Sequence, residues 1–195
     1  MKLNIGSGYK RIPGYTNVDS DKNCKPDYVV NLDDVNLTLP FPDNSVEEVI
    51  AHHILEHIGD GYFRLLQELY RVCKSGAVID IIVPHPNHEV YLCDPTHKRP
   101  IMPEGLRLFS KKFNKHTIDI GGHSSTLGLM YDVDFELLTY DFKHDGFYDD
   151  IKPKLSQLEL QRLFREALNT CIEIHIMIAV VKDGITTSNS IPQKS

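Results

Sequence analysis

The sequence predicts an α/β fold built on a largely parallel sheet with helices on both faces. Three observations carry that reading. Short apolar runs alternate with helix-patterned segments along the chain, the pattern of parallel strands joined by right-handed crossovers. The run "AVIDIIVP", Ala77 to Pro84, is apolar almost throughout, as strands are when both faces are covered. The closing run "IEIHIMIAVV" alternates strictly from Ile172 to Ile178, which suits an antiparallel or half-exposed last strand.

The elements follow in order. Leu3 to Ile5 reads as a strand stopped by Gly6, Tyr15 to Val18 as a second, and Tyr28 to Leu32 as a third after the turn Lys25-Pro26-Asp27. The proline-rich loop "LTLPFPDNS" feeds a strand from Val46 to Ala51 that ends at His52 and His53. Asp60 is placed to cap a helix to about Lys74, with Tyr62, Leu65, Leu66, Leu69, Val72 and Cys73 at helical spacing. Ser75-Gly76 then ends it, since glycine suits the position just past a helix. From His85 to Met130 the chain is rich in Pro, Gly, His and Lys, with one helix expected over Glu104 to Phe113. Asp134 to Phe142 reads as a strand. Ser156 and Glu159 form a capping box before a helix striped by Leu160, Leu163, Phe164, Ala167 and Leu168. Residues 1–185 are read as one domain and 186–195 as a disordered tail.

Composition narrows the function. The 195 residues are 41% apolar and 25% charged with a net charge of -6, which weakens any case for non-specific nucleic-acid binding. The cluster of Lys111, Lys112 and Lys115 with Phe109 and Phe113 reads as a solvated helix face. Cys24, Cys73, Cys93 and Cys171 are scattered and form no C-x-x-C pair, so a reduced, cytoplasmic setting is expected. No leader is expected, because Lys2 runs straight into a strand and a glycine turn. No apolar run reaches the roughly 20 residues that span a bilayer.

In open α/β sheets ligands collect beyond the strand C-termini. Gly6, Asp19, Leu32 and His52 all end predicted strands, so they are expected to converge. Gly6 and Gly8 allow a tight turn and close approach to a ligand, and Asp19 can accept from a ribose diol. A dinucleotide fingerprint needs a third glycine and an acid roughly 20 residues on. Here Arg11 takes the third-glycine position and Asp19 follows Gly6 by 13 positions. Pro13-Gly14 leaves no room for the helix whose N-terminus holds a pyrophosphate, so nicotinamide binding is disfavoured.

Three ordered motifs within residues 2–84 resemble the class I S-adenosylmethionine-dependent methyltransferases. "LNIGSGYKRIPGYTNVD" is similar to the family's first motif in compact form, "LPFPDNSVEEVIAHHILEHI" to its second, and "ELYRVCKSGAVIDIIVP" to its helix, glycine turn and fifth strand. Ser7 and Ser75-Gly76 depart from commoner family residues without opposing binding. The resemblance implies a Rossmann-like methyltransferase sheet, mostly parallel with an antiparallel last strand, and S-adenosyl-L-methionine as cofactor. It implies Asn4, Gly6, Ser7, Gly8, Asp19, Leu32, Asp33, Ala51, His52 and His53 as cofactor-binding residues. Gly6, Ser7 and Gly8 would line the methionine end and Asp19 would hold the ribose. Leu32 and Asp33 would lie near the adenine, with Ala51 to His53 below the sulfonium.

Methyl transfer from a sulfonium is an in-line displacement, so alignment, exclusion of water and proton removal are the tasks left to the protein. The candidate catalytic residues are His85, after the fifth strand, and Asp94 and His97 in the Pro-bounded "DPTHKRP" with Lys98 and Arg99. Histidine suits proton abstraction near neutral pH. His57 is expected to pack or bond within its turn. His53 and His57 have i,i+4 spacing, but "HHILEH" is not H-E-x-x-H and no third ligand is identifiable, so no metal is expected. The leading reading is a methyltransferase acting on an O or N atom of a saccharide or small metabolite, with residues 85–130 as an acceptor lid. The alternative is a catalytically inactive cofactor-binding module that regulates or scaffolds a partner.

Overall fold

A computed structural model describes residues 1–150 and 152–182 of the chain, so the expected tail at 186–195 lies outside the described residues. Among those residues, seven strands form one sheet: β1 (Lys2–Ile5), β2 (Thr16–Asp19), β3 (Tyr28–Val29), β4 (Val46–His52), β5 (Cys73–Pro84), β6 (Phe135–His144) and β7 (Cys171–Val180). Their order is β3-β2-β1-β4-β5-β7-β6. β1 to β5 pair in parallel, and β7 lies antiparallel between β5 and β6. The last strand is antiparallel, as expected, and it sits inside the sheet rather than at its edge. The chain steps outward from β1 to β3, then returns to β4 on the other side of β1. That reversal makes the C-terminal ends of β1 and β4 the switch point where a ligand crevice opens.

The elements form for local reasons. Leu3 and Ile5 are fully buried, so β1 sits centrally. Gly6, with φ +63°, then turns the chain back to β2 without a helix. The expected third strand is shortened to Tyr28–Val29, an exposed edge. Helix α1 (Tyr62–Val72) buries Tyr62, Leu65, Leu66, Leu69 and Val72, as its spacing predicts. Two expectations for its ends are corrected. Its N-cap is Gly61 rather than Asp60, without a side-chain cap. It ends at Val72, and Cys73 is already extended and opens β5. Ser75-Gly76 therefore lies in a bulge: Val46 pairs Cys73 and Glu48 pairs Val78, leaving Lys74–Ala77 opposite Glu47. Gly76 takes φ +80° there, a left-handed conformation that glycine adopts without strain.

Three short helices lie in the segment after β5: α2 (Glu89–Leu92), α3 (Pro103–Arg107) and, further on, α5 (Leu127–Met130). The single helix expected over Glu104 to Phe113 is α3 followed by a separate α4 (Lys111–Asp119). Ser110 divides them, because its hydroxyl accepts from Phe113 N at 3.2 Å and starts a new helix. α6 (Gln157–Glu166) has the expected capping box from Ser156 and Glu159. Leu160 and Leu163 on its stripe are half-buried and Leu168 is exposed; the Phe164 side chain lies outside the described residues. Phe109 is core, and Lys111 pairs with Asp132 at 2.6 Å, so two members of the lysine–aromatic cluster are already engaged within the fold.

One ion cluster around the buried Glu68 ties the proline-rich loop to α1. Glu68, 2% exposed, accepts from Leu39 N at 2.7 Å, from both Arg71 Nε (3.0 Å) and Nη2 (2.7 Å), and lies 3.1 Å from Arg64 Nη2. Arg71 also donates to Leu39 O, Phe41 O and Asp43. Burial alone would push the Glu68 carboxyl up, but Arg71, the Leu39 amide and Arg64 outweigh it and hold it below the usual glutamate range.

Glu68→Ala leaves the buried Leu39 amide without its acceptor while Arg71 keeps Asp43 and two carbonyls, and is expected to cost about 1–3 kcal/mol in urea unfolding. Because the folded pKa is depressed, the Glu68 contribution is fully present above the unfolded value, near pH 4.5, and is lost as pH falls through the lower folded value. Acid titration of the melting temperature should therefore fall more steeply in the wild type than in Glu68→Ala. Gly61 gives a second check: an added Cβ would lie 2.5 Å from the Asp33 carbonyl carbon. Gly61→Ala is expected to cost roughly 1–3 kcal/mol by the same measurement.

Candidate cofactor and acceptor site

A cavity of about 240 Å³ opens beyond the ends of β1 and β2. Gly6, Asp19, Leu32 and Asp33 line it, with His57 and Lys98 at its rim. Each is set by backbone geometry. At Gly6 a Cβ would lie 2.5 Å from the Ile54 side chain, so only glycine lets the loop after β4 close over β1. Asp19 ends β2 and organises both turns beside it: Oδ2 accepts from Gly8 N at 2.7 Å and Oδ1 from Asp21 N at 2.9 Å. Each oxygen keeps a second lone pair for a ligand hydroxyl.

Asp33 joins three loops. Its Oδ1 accepts from Gly59 N (2.8 Å) and Gly61 N (2.9 Å), and its Oδ2 pairs with Lys98 Nζ. Burial pushes this carboxyl up, but Lys98 and the two amides hold it below the ordinary aspartate range. The segment after β5 is fastened at the same place: Lys98 N and Arg99 N both donate to Glu56 O, and the Arg99 guanidinium donates to Ile58 O and Gly59 O. Arg99 also stacks over the Tyr62 ring, 4.2 Å from its centroid.

The remaining residues expected at the cofactor lie around this cavity and do not line it. Asn4 is buried and donates to Asn17 Oδ1 and Lys10 O, bracing the glycine turn from behind. Ser7 N donates to Val18 O, and Gly8 contributes its amide to Asp19. Ala51 is wholly buried. His52 Nε2 lies 3.3 Å from Asp80 Oδ2. His53, with φ +53°, lies between Glu56 (3.6 Å) and Glu173 (3.4 Å).

The three catalytic candidates divide. His97 and Asp94 reach the rim beside His57. The His57 and His97 rings are 4.7 Å apart edge to face, and Asp94 Oδ1 accepts from Thr96 Oγ1 at 2.6 Å. His85 packs instead against Phe142 on β6, its ring 5.8 Å away, and accepts from Asn87 N. Burial and neighbouring His88 hold it below the ordinary histidine range. Sequence reasoning missed Ile54, Lys98 as a partner of Asp33, and the buried Glu56. The close pair Gly59 and Gly61 after "LEHI" was the available signal that another chain segment approaches there.

Residues 14–81, about a third of the chain, match the model of the methyltransferase domain family. A search of curated proteins finds no match. Among solved structures, an S-adenosylmethionine-dependent methyltransferase from Archaeoglobus fulgidus is 20% identical with a TM-score of 0.53, over 91% of this chain and 85% of its own. An S-adenosylmethionine-dependent methyltransferase from Methanosarcina mazei is 14% identical with a TM-score of 0.51 over 92% of each chain. A putative methyltransferase from Bacillus halodurans is 14% identical with a TM-score of 0.53, over 93% and 92%. At these identities the structures show a shared fold. The family match covers residues 14–81 and the solved structures share the fold, so this chain is similar to S-adenosylmethionine-dependent methyltransferases.

Proposed function

We propose that the chain moves the methyl group of S-adenosylmethionine to an oxygen or nitrogen atom of a polar small molecule, a saccharide or small metabolite, with residues 85–130 as the acceptor lid. The observation that carries this reading is the Asp19 carboxylate, already fixed by Gly8 and Asp21 and facing the cavity. The lining suits the cofactor: Asp19 for the ribose diol, Leu32 and Ile58 for the adenine, and Gly6 for close approach of the methionine end. When bound, the sulfonium supplies an activated methyl group, and this chain's part is to hold it in line and exclude water. Lys98 and Arg99, strapped to the Glu56–Gly59 turn, put the lid against that cavity. A second cavity, of about 200 Å³ and lined by Tyr62, Phe63, Arg99 and Phe109, lies under the same segment. Asp94 and His97 are the acceptor-facing candidates, and His85 is assigned to packing.

A cytoplasmic setting fits the four free thiols. Among the described residues no helix is long and apolar enough to cross a membrane. The second reading is cofactor binding without catalysis, with the chain regulating or scaffolding a partner.

The methyltransferase reading expects S-adenosylmethionine and S-adenosylhomocysteine each to raise the melting temperature, and S-adenosylhomocysteine to accumulate with hydroxylated or amine acceptors. Asp19→Ala removes a charge-assisted bond worth about 1.5–3 kcal/mol, so calorimetric affinity for S-adenosylhomocysteine should drop roughly ten- to a hundredfold. Unchanged melting with either ligand, together with unchanged Asp19→Ala behaviour, contradicts it. Tight binding with no turnover across the acceptor panel favours the second reading.

A further inference from the structure

The geometry points to a divalent transition-metal site formed by Glu56, His57 and His97 at the rim of the cavity. One ligand atom from each of the three lies within 4.8 Å of the others. Glu56 is 1% exposed, and neither of its carboxylate oxygens accepts a hydrogen bond. A buried carboxylate without donors is expensive unless a cation or a proton answers it. His53 Nδ1 forms an ion pair with Oε1 at 3.6 Å, beyond hydrogen-bond distance, which leaves both oxygens without a donor.

The surroundings of the two imidazoles fix their tautomers. His97 Nδ1 lies 2.7 Å from Tyr91 O, and a carbonyl can only accept, so Nδ1 carries the proton. His57 Nδ1 lies 2.9 Å from Thr96 Oγ1. The single Thr96 hydroxyl proton goes to Asp94 Oδ1 at 2.6 Å, so His57 Nδ1 is the donor there. In both rings the free lone pair is therefore on Nε2. Metal-binding histidines are commonly held this way, with the other ring nitrogen donating to a carbonyl, a carboxylate or its relay. Asp94 Oδ2, 3.8 Å from His97 Nε2, adds negative charge beside the group.

Two neutral imidazoles and a carboxylate suit zinc, manganese, cobalt or nickel better than calcium or magnesium. The set is assembled across 41 residues of sequence, from Glu56 to His97. The Lys98 and Arg99 amides bonded to Glu56 O bring the two ends together. Three protein ligands leave at least one position open, and His57 lines the cavity, so the site borders the crevice beside the segment read as the acceptor lid. An imidazole holding an ion has no lone pair left for a proton, which makes His57 and His97 acceptor-binding groups rather than bases. That role rests on the methyltransferase reading; the metal site does not.

The test is calorimetric titration of the chelator-stripped full chain with Zn²⁺ and Co²⁺, without S-adenosylmethionine. One saturable equivalent is expected, with a rise in melting temperature. Affinity should fall at least tenfold in Glu56→Gln and in His97→Ala, and stay unchanged in His175→Ala, an exposed histidine on β7. Nuclear magnetic resonance of the wild-type histidine rings guards against variants that misfold, since Zn²⁺ should shift two Nε2 signals whose Nδ1 partners stay protonated. No saturable equivalent in the wild type, no shifted ring pair, or equal binding in natively folded Glu56→Gln and His97→Ala overturns the site. Because the readout needs no cofactor, its failure is distinguishable from failure of methyl transfer.

Discussion

The Asp33 carboxylate is the constraint on which the cavity depends. It stands where the chain leaves β3 and receives two amides from the turn after β4 and the ammonium of Lys98. Three loops far apart in sequence therefore meet at one half-buried charge. Gly61 is a glycine because a Cβ would lie 2.5 Å from the Asp33 backbone, while at Gly59 one would lie 2.7 Å from Lys98 Cδ, on a side chain that can give way. A carboxylate serving amides and an ammonium is worth more than neutral pairs in the same place, and it sets the width of the crevice.

Around that point the chain divides its labour. Residues on the sheet side, Gly6 and Asp19, shape the half of the crevice suited to the cofactor. Residues beyond β5, above all Lys98 and Arg99, fasten the other half by backbone and guanidinium bonds to Glu56, Ile58 and Gly59. The Glu68–Arg71 cluster works further out, pinning the loop from Leu37 to Asp43 onto α1. That loop leads into β4, so the cluster steadies the strand that ends at the crevice. The side carrying Lys98 and Arg99 is thus held by polar bonds to one short turn, while the side carrying Gly6 and Asp19 is built into the sheet.

The sequence made the local features legible. Strand and helix periods marked β1, β5, α1 and the alternating β7, and the short reach from Gly6 to Asp19 without a helix marked the loop that lines the cavity. It read the ends of α1 less well, because the bulge at Lys74–Ala77 exists only through pairing with β4, which no local window contains. Splitting of the Glu104–Phe113 helix was signalled by Ser110, a good cap that helical spacing obscured. Nearly all the misses at the site are long-range. Nothing near Asp33 announces Gly59 and Gly61, and nothing near His57 announces His97. Asn4, on the same strand as the cavity, braces the turn from behind, and only its bonds to Asn17 and Lys10 reveal that. Spacing finds residues on one element, whereas side chains contributed by separate loops need the fold.

The most direct test of the account is a crystal structure of the chain with S-adenosylhomocysteine. It should show the ribose hydroxyls on Asp19, the adenine between Leu32 and the Asp33 loop, and the sulfur near Gly6 with the Glu56–His57–His97 rim beyond it. A ligand lodged elsewhere, such as the cavity lined by Arg11, Tyr15 and Asp27, with the Asp19 carboxylate untouched, would contradict it.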